Sequence, residues 1–174
     1  IFTLEEERPE HVLILSGDHI YRMDYRDMLA DHLDNDADAT MAVLTVPAAE
    51  AFRFGVVQHE ADGRVTGLRE KPKDLDPHGP DIVANMGVYL FKTEVLVRAV
   101  SRDARHEDSS HDFGKDIFPA LVRGGAKVFA HRFRGAGEKE QTYWRDIGTI
   151  EAYYEANMDL VSVSPVFNLY DHTW

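Results

Sequence analysis

The apolar run Val12-Leu13-Ile14-Leu15 is unbroken by polar residues and stops at Ser16-Gly17-Asp18. A short continuous run of this kind reads as a strand covered on both faces, here over residues 11–16. Tyr25, Met28, Leu29, His32 and Leu33 then recur at i, i+3, i+4, i+7 and i+8, which is one face of a helix. Asp24 is placed to cap that helix. Asp27 falls in its first turn, where a carboxylate meets the positive end of the dipole, and Met23 with Met28 has the spacing of a hydrophobic staple. Residues 39–46 predict the next strand, closed by Pro47. Residues 55–60 and 64–69 flank Asp62-Gly63, a signal for a hairpin with a two-residue turn. Pro77, Gly79 and Pro80 mark 74–81 as a loop.

A long strand is predicted over 82–91, with Gly87 inside it. Glycine weakens a strand and often marks a close approach by a ligand or another backbone. Thr93 is placed to cap a helix running to about residue 100. Residues 101–110 are polar and read as a surface loop, and 113–122 as a helix stopped by Gly124-Gly125. A strand over 127–133 and a polar loop over 134–141 follow. Thr149 is placed to cap a last helix bearing Ile150, Tyr153, Tyr154, Met158 and Val161, ended by Pro165. Strands alternating with helices, plus one hairpin, predict an α/β fold with a mixed sheet.

Composition narrows the classes. The chain has 174 residues, enough for one domain with a sizeable core. Its apolar runs reach only about five residues, against the ~20 needed to span a bilayer, so no membrane role is expected. The N-terminal residues lack the basic and hydrophobic regions of a secretory signal, and the missing initiator Met indicates a processed, trimmed or partial chain. There are no cysteines, which excludes disulfides and thiolate metal sites and fits a cytoplasmic setting. The net charge of −12 argues against nucleic-acid binding, which needs a basic footprint. An acidic protein that binds phosphates must do so with a few placed cations, backbone N–H groups or a metal.

Candidate chemistry sits at strand ends. A buried strand ending in Gly17-Asp18 places a carboxylate at the edge where open α/β sheets bind ligands. Asp146, in Asp146-Ile147-Gly148, is the second carboxylate in a tight glycine-containing segment. Two hard oxygen ligands with open positions suit Mg²⁺. The alternative makes Asp18 a turn former and Asp146 an acid before a helix cap. Lys71, fixed by Pro72, is suited to hold a phosphate as a point charge, and Glu70 to accept sugar hydroxyls. The alternative is a solvated pair at a strand end. Asp112-Phe113-Gly114 has none of the other kinase signatures, and Asp112 reads as an N-cap. Trp144 is placed either on a sugar face or in the core. His19 and His111 read as hydrogen-bonding neighbours of the site, and no zinc-ligand spacing is present. Together these segments suggest metal-dependent nucleotidyl transfer on a sugar phosphate.

Laid end to end, the motifs resemble those of the ADP-glucose pyrophosphorylase (glucose-1-phosphate adenylyltransferase) family. They are Ser16-Gly17-Asp18-His19-Ile20-Tyr21 with Asp24-Tyr25, Phe54-Gly55-Val56, Glu70-Lys71-Pro72, Ala84-Asn85-Met86-Gly87-Val88-Tyr89, Ser109-Ser110-His111-Asp112-Phe113-Gly114-Lys115-Asp116, and Tyr143-Trp144-Arg145-Asp146-Ile147-Gly148-Thr149. Their order is the family's and they cover nearly the whole chain.

The resemblance implies a Rossmann-like (GT-A-like) three-layer nucleotidyltransferase domain with a mixed, mainly parallel sheet, incomplete at its N-terminus. Residues 1–164 would be the later part of that domain, and 165–174 a linker toward a C-terminal β-helix domain. Asp18 and Asp146 would hold Mg²⁺, Asp18 being the key catalytic carboxylate. Lys71 would bind the phosphate of glucose 1-phosphate and Glu70 the hexose hydroxyls, while Asn85, Tyr89, Asp112, Phe113 and Trp144 would line the sugar pocket. Asn85 stands where many members carry Ser. The substrates would be ATP and glucose 1-phosphate, for glycogen or starch synthesis, in a cytoplasmic homotetramer. The family's Gly-rich ATP loop is not among these residues, so the 174 residues alone are expected to be inactive, with an exposed sheet edge favouring self-association. Three rival readings stand beside this one: another nucleotide or sugar, a non-catalytic regulatory subunit, and an interaction domain without chemistry.

Overall fold

The computed structural model describes residues 2–134, 143–165 and 169. They fall into two compact units, Ile1–Leu15 with Tyr25–Arg132, and Ser16–Asp24 with Phe133–Trp174.

The first unit holds α1 (Phe2–Glu7), β1 (His11–Leu15), α2 (Tyr25–Asp34), β3 (Ala39–Val46), β4 (Gly55–His59), β5 (Val65–Glu70), β6 (Ile82–Lys92), α3 (Thr93–Asp103), α4 (Phe118–Arg123) and β7 (Val128–Arg132). The second holds β2 (His19–Tyr21), β8 (Trp144–Asp146) and α5 (Ile150–Leu160).

The sheet of the first unit runs β5-β4-β6-β3-β7, with β1 also paired to β6. One edge of β6 is taken by β3; the other is shared, by β1 at Val88–Lys92 and by β4 at Ala84. The sheet is mixed, as expected, but it is not mainly parallel. Only β3 and β7 pair in parallel; β1–β6, β3–β6, β4–β5 and β4–β6 are antiparallel. The reason is the position of one strand. β1 and β3 point the same way, as a strand–helix–strand crossover requires, and β6 is inserted between them in the opposite sense.

Side-chain alternation along β3 assigns its two faces. Thr40 turns to α2, where its Oγ1 lies 2.8 Å from His32 Nδ1. Ala39, Met41 and Val43 turn the other way, into a core with Phe91, Val95 and Leu96 of β6 and α3 and Phe118 of α4. The sheet of this unit is therefore covered by helices on both faces, which gives the three layers. Phe91 and Phe118 are fully buried, and each such side chain contributes about 1.5–3 kcal/mol.

β1 departs from the two-sided burial expected of it. Val12 and Ile14 pack on the core, but Leu13 and Leu15 are 36% and 46% exposed. The unbroken run reports hydrophobicity on both faces, and only one face is covered here. The α2 stripe is also narrower than its periodicity: Met28 and His32 are buried, while Leu29 and Leu33 are exposed.

The hairpin loop is longer than two residues. Glu60 N donates to Arg64 O (2.9 Å) and Gly63 N to Glu60 O (3.0 Å), leaving Ala61-Asp62-Gly63 as a three-residue loop with Gly63 at φ 88°. Thr93 does not cap α3 but starts it, its hydroxyl donating to Pro9 O. That helix continues to Asp103, into the segment expected to be loop. Thr149 does cap α5, accepting from Ala152 N at 3.1 Å. Ile150, Tyr153, Tyr154, Met158 and Val161 of its apolar stripe are exposed. Apart from Arg134, the polar loop expected over 134–141 lies outside the described residues, as does the 165–174 linker except for Pro165 and Leu169. Among the described residues no helix is long and apolar enough to cross a membrane.

Candidate active site

In the first unit, Glu70 ends β5, and Lys71, Asn85, Tyr89, Asp112 and Phe113, also singled out from sequence, belong to the same region. Glu70 is the last residue of that strand and faces Gly55 across the β4–β5 ladder. Its side chain is 20% exposed. Burial, followed by the negative charge of Asp112, pushes its carboxyl above the ordinary value of 4.5, against the opposing pull of Lys71 and Lys115. Lys71 sits in the left-handed region at φ 44°, and its N–H donates to Phe54 O at 3.0 Å. That turn breaks the strand and leaves the ammonium exposed, 4.0 Å from Glu70 Oε1. A non-glycine residue held at positive φ stores strain that recurs at functional sites.

Asn85 and Tyr89 come together through a bulge in β6. The β3–β6 register passes from Met41↔Tyr89 to Val43↔Asn85, so two steps on one strand oppose four on the other. Gly87 at φ 73° occupies the bulge, where the sequence suggested only a weakened strand or a close approach by another group. Asn85 Oδ1 accepts from Gly87 N (3.1 Å) and Asn85 Nδ2 donates to Tyr89 OH (2.8 Å). In a regular strand these side chains, four residues apart, would be too distant to bond. Burial pushes the Tyr89 phenol up to about 12.

Asp112 is the expected N-cap: its Oδ1 accepts from Gly114 N (2.8 Å) and Lys115 N (2.9 Å). The helix it opens is a π-helical turn, Phe113–Ile117, before α4. Such turns are rare and concentrate at functional sites. Phe113 is half-buried and its ring packs on Tyr89, Phe91 and Phe118, so it belongs to the edge of the core. Asp103 and Asp116 brace the loop before Asp112. Asp103 takes the Ser109 hydroxyl and His111 Nδ1 at 2.7 Å each, and Asp116 takes the Ser110 hydroxyl (2.6 Å) and Asp112 N (3.1 Å). These bonds hold both carboxyls below the ordinary range, chiefly through His111 for Asp103 and Ser110 for Asp116. They also hold His111 in the left-handed region at φ 58°.

The second unit carries Asp18, Asp146 and Trp144. β2 and β8 pair so that His19 faces Asp146 and Tyr21 faces Trp144. Asp18, His19 and Asp146 each offer a ligand atom, all within 4.8 Å of one another. Ile147 N donates to Asp18 O (3.0 Å) and Gly148 N to Asp146 Oδ1 (2.9 Å). A Cβ at Gly148 would lie 3.1 Å from that same oxygen, so the glycine leaves room beside it. His19 Nε2 lies 3.7 Å from Asp18 Oδ1, and its ring meets Trp144 edge-on at 4.9 Å. Arg145 ties β8 to α5 through Glu155 (3.0 Å) and Asp159 (2.8 Å). The two carboxylates at this spacing, with Asp18 59% exposed, fit an oxygen-seeking divalent cation that keeps positions open for water and phosphate.

The sequence pattern described as Nucleotidyl transferase matches residues 2–163. The chain belongs to the nucleotidyl transferase family. It is 47% identical over its whole length to a glucose-1-phosphate adenylyltransferase of Koribacter versatilis, of which it covers 42%. It is 46% identical to one of Rhodopirellula baltica and 44% to one of Acetivibrio thermocellus, again over the whole chain, covering 40% and 38% of them. The chain thus spans about two fifths of the length of the curated relatives it matches.

Within this nucleotidyl transferase chain, sequence reasoning missed two contributions. Gly55 and Gly114 make room for the Glu70 carboxylate, and Asp103 and Asp116 brace the Asp112 loop, while His19, expected beside the site, stands with the two aspartates. The glycines carried a signal, since each lies in a motif beside a charged candidate. The braces did not, because their partners are set by the fold of the loop.

Proposed function

We propose that the whole protein transfers the adenylyl group of ATP to glucose 1-phosphate, forming ADP-glucose and pyrophosphate. The observation that carries this reading is the grouping of Asp18, His19 and Asp146 within 4.8 Å, in a chain 44–47% identical along its length to glucose-1-phosphate adenylyltransferases. A phosphate oxygen of the sugar attacks the α-phosphorus of ATP; the new P–O bond forms as the bond to pyrophosphate breaks. The attacker is already an anion, so the protein has no nucleophile to supply. Its residues align the reactants and neutralise charge.

Asp18 and Asp146 would hold Mg²⁺, which supplies Lewis-acid neutralisation at the phosphate oxygens. Lys71 would fix the attacking phosphate, its ammonium being exposed and held only loosely by Glu70. Glu70, Asn85, Tyr89 and Asp112 would receive the hexose, and Phe113 would support them from the core side. Trp144 would contribute an apolar surface. ATP selection and turnover belong to the whole protein, and the 174 residues alone are inactive in this reading. A role in glycogen or starch synthesis and a cytoplasmic homotetramer follow from the motif resemblance alone.

Calorimetric titration of glucose 1-phosphate into the full-length protein tests the reading. Binding should be clear in the parent and lost in Lys71→Ala. Equal binding by the two would remove Lys71 from the site, and no binding by either would overturn the substrate.

A further inference from the structure

Gly55 and Gly114 come from different elements, a strand start and a π-helical turn, and both are buried. Neither has the positive φ that calls for glycine; among the described glycines that conformation belongs to Gly63, Gly87 and Gly125. Their backbones would accept any residue, so glycine stands at both places for space.

The space is taken by one atom. A Cβ on Gly55 and a Cβ on Gly114 would each lie 2.9 Å from the same oxygen, Glu70 Oε2. Real Cβ atoms essentially never approach so closely, so something must shift. The other neighbours are more distant: Leu68 Cδ1 (3.4 Å) and Asn85 Cβ (3.5 Å) at Gly55, and Asp112 Oδ1 (3.3 Å) at Gly114. The group that must give way is therefore the Glu70 carboxylate, the far end of a flexible side chain. Among the described residues no hydrogen bond ends on that carboxylate, and Lys71 is 4.0 Å away. Apart from that loose ion pair with Lys71, the two gaps fix where it lies.

We propose that Gly55 and Gly114 are positioning residues, which together form the seat that holds the Glu70 carboxylate in place to receive the hexose. The inference rests on the role given to Glu70 above. A methyl group at either position expels the carboxylate toward solvent while leaving the backbone and core intact. Fold stability should therefore survive, and sugar recognition should not.

The test uses the full-length protein with Gly55→Ala, Gly114→Ala and Glu70→Gln, and reads Tm, KM for each substrate and kcat. Glu70→Gln comes first: an unchanged KM for glucose 1-phosphate would refute the role of Glu70 itself. With that role standing, each alanine variant should raise KM for glucose 1-phosphate about tenfold, with KM for ATP and kcat within about threefold. The shorter side chain of Glu70→Asp should relieve the overlap. In that background Gly114→Ala should cost less than it does alone, a non-additivity a merely structural role would not produce. Should Gly114→Ala fail to fold, Gly55→Ala carries the same comparison from the other element. Parent-like KM in a folded alanine variant, or full additivity with Glu70→Asp, would overturn the seat.

Discussion

Asp146 and Asp18 meet because β8 lies antiparallel to β2 with Asp146 facing His19, and Ile147 N donates to Asp18 O at 3.0 Å. That short ladder, and not any nearness in sequence, sets the two carboxylates within 4.8 Å. Arg145, between Trp144 and Asp146, anchors the same strand to α5 through Asp159 and Glu155.

The β6 bulge depends on Gly87. At φ 73° an L side chain costs about 1–2 kcal/mol, so Gly87→Ala should lose about that much stability in denaturant unfolding. The Asn85–Tyr89 hydrogen bond spans the bulge, so KM for glucose 1-phosphate should rise with it. A variant as stable as the parent would show that the bulge does not require glycine.

Glu70 gives a pH signature. Its carboxyl is raised above 4.5 in the folded chain, first by burial and then by Asp112. Below the ordinary value the folded and unfolded chains are both protonated and nothing is lost. As pH rises through the folded value, the carboxylate ionises in a half-buried site and stability falls. Glu70→Gln removes that loss. Its Tm should exceed the parent's at about pH 7, and the gap should close toward about pH 4. A gap independent of pH would contradict the assignment.

His32 gives a signature of opposite direction. Burial first, then His11 and Lys92, lowers it from 6.5 to about 4. The unfolded chain takes up a proton below 6.5 that the folded chain refuses until about 4. The stability from keeping this ring neutral is therefore complete above 6.5 and drains away as pH falls to 4. Thermal unfolding of His32→Gln should show a flatter profile across that window than the parent. Parallel profiles would place the acid sensitivity elsewhere.

Much of this was legible in the sequence where one residue imposes one geometry. Thr149 and Asp112 are caps as read, and Gly87, singled out as an anomaly in its strand, sits between two candidate ligands. What failed were readings that depend on partners far along the chain. The Val12–Leu15 run predicted burial on both faces, but coverage of Leu13 and Leu15 is decided by what packs on them. The sheet is mixed as expected but not mainly parallel, because β6, a late strand, inserts between β1 and β3, and local periodicity carries no strand order. Of the site, the charged residues were visible as motifs. The empty space around Glu70 was not, since glycine in a sequence does not say what its missing side chain would strike.

The most direct test of the central claim is the Mg²⁺-dependent release of pyrophosphate from ATP and glucose 1-phosphate by the full-length protein and its Asp18→Asn variant. The parent should form ADP-glucose. In the variant kcat should fall about a hundredfold or more, with calorimetric binding of glucose 1-phosphate changed far less. No turnover by the parent, or an Asp18→Asn variant with parent-like kcat, would contradict it.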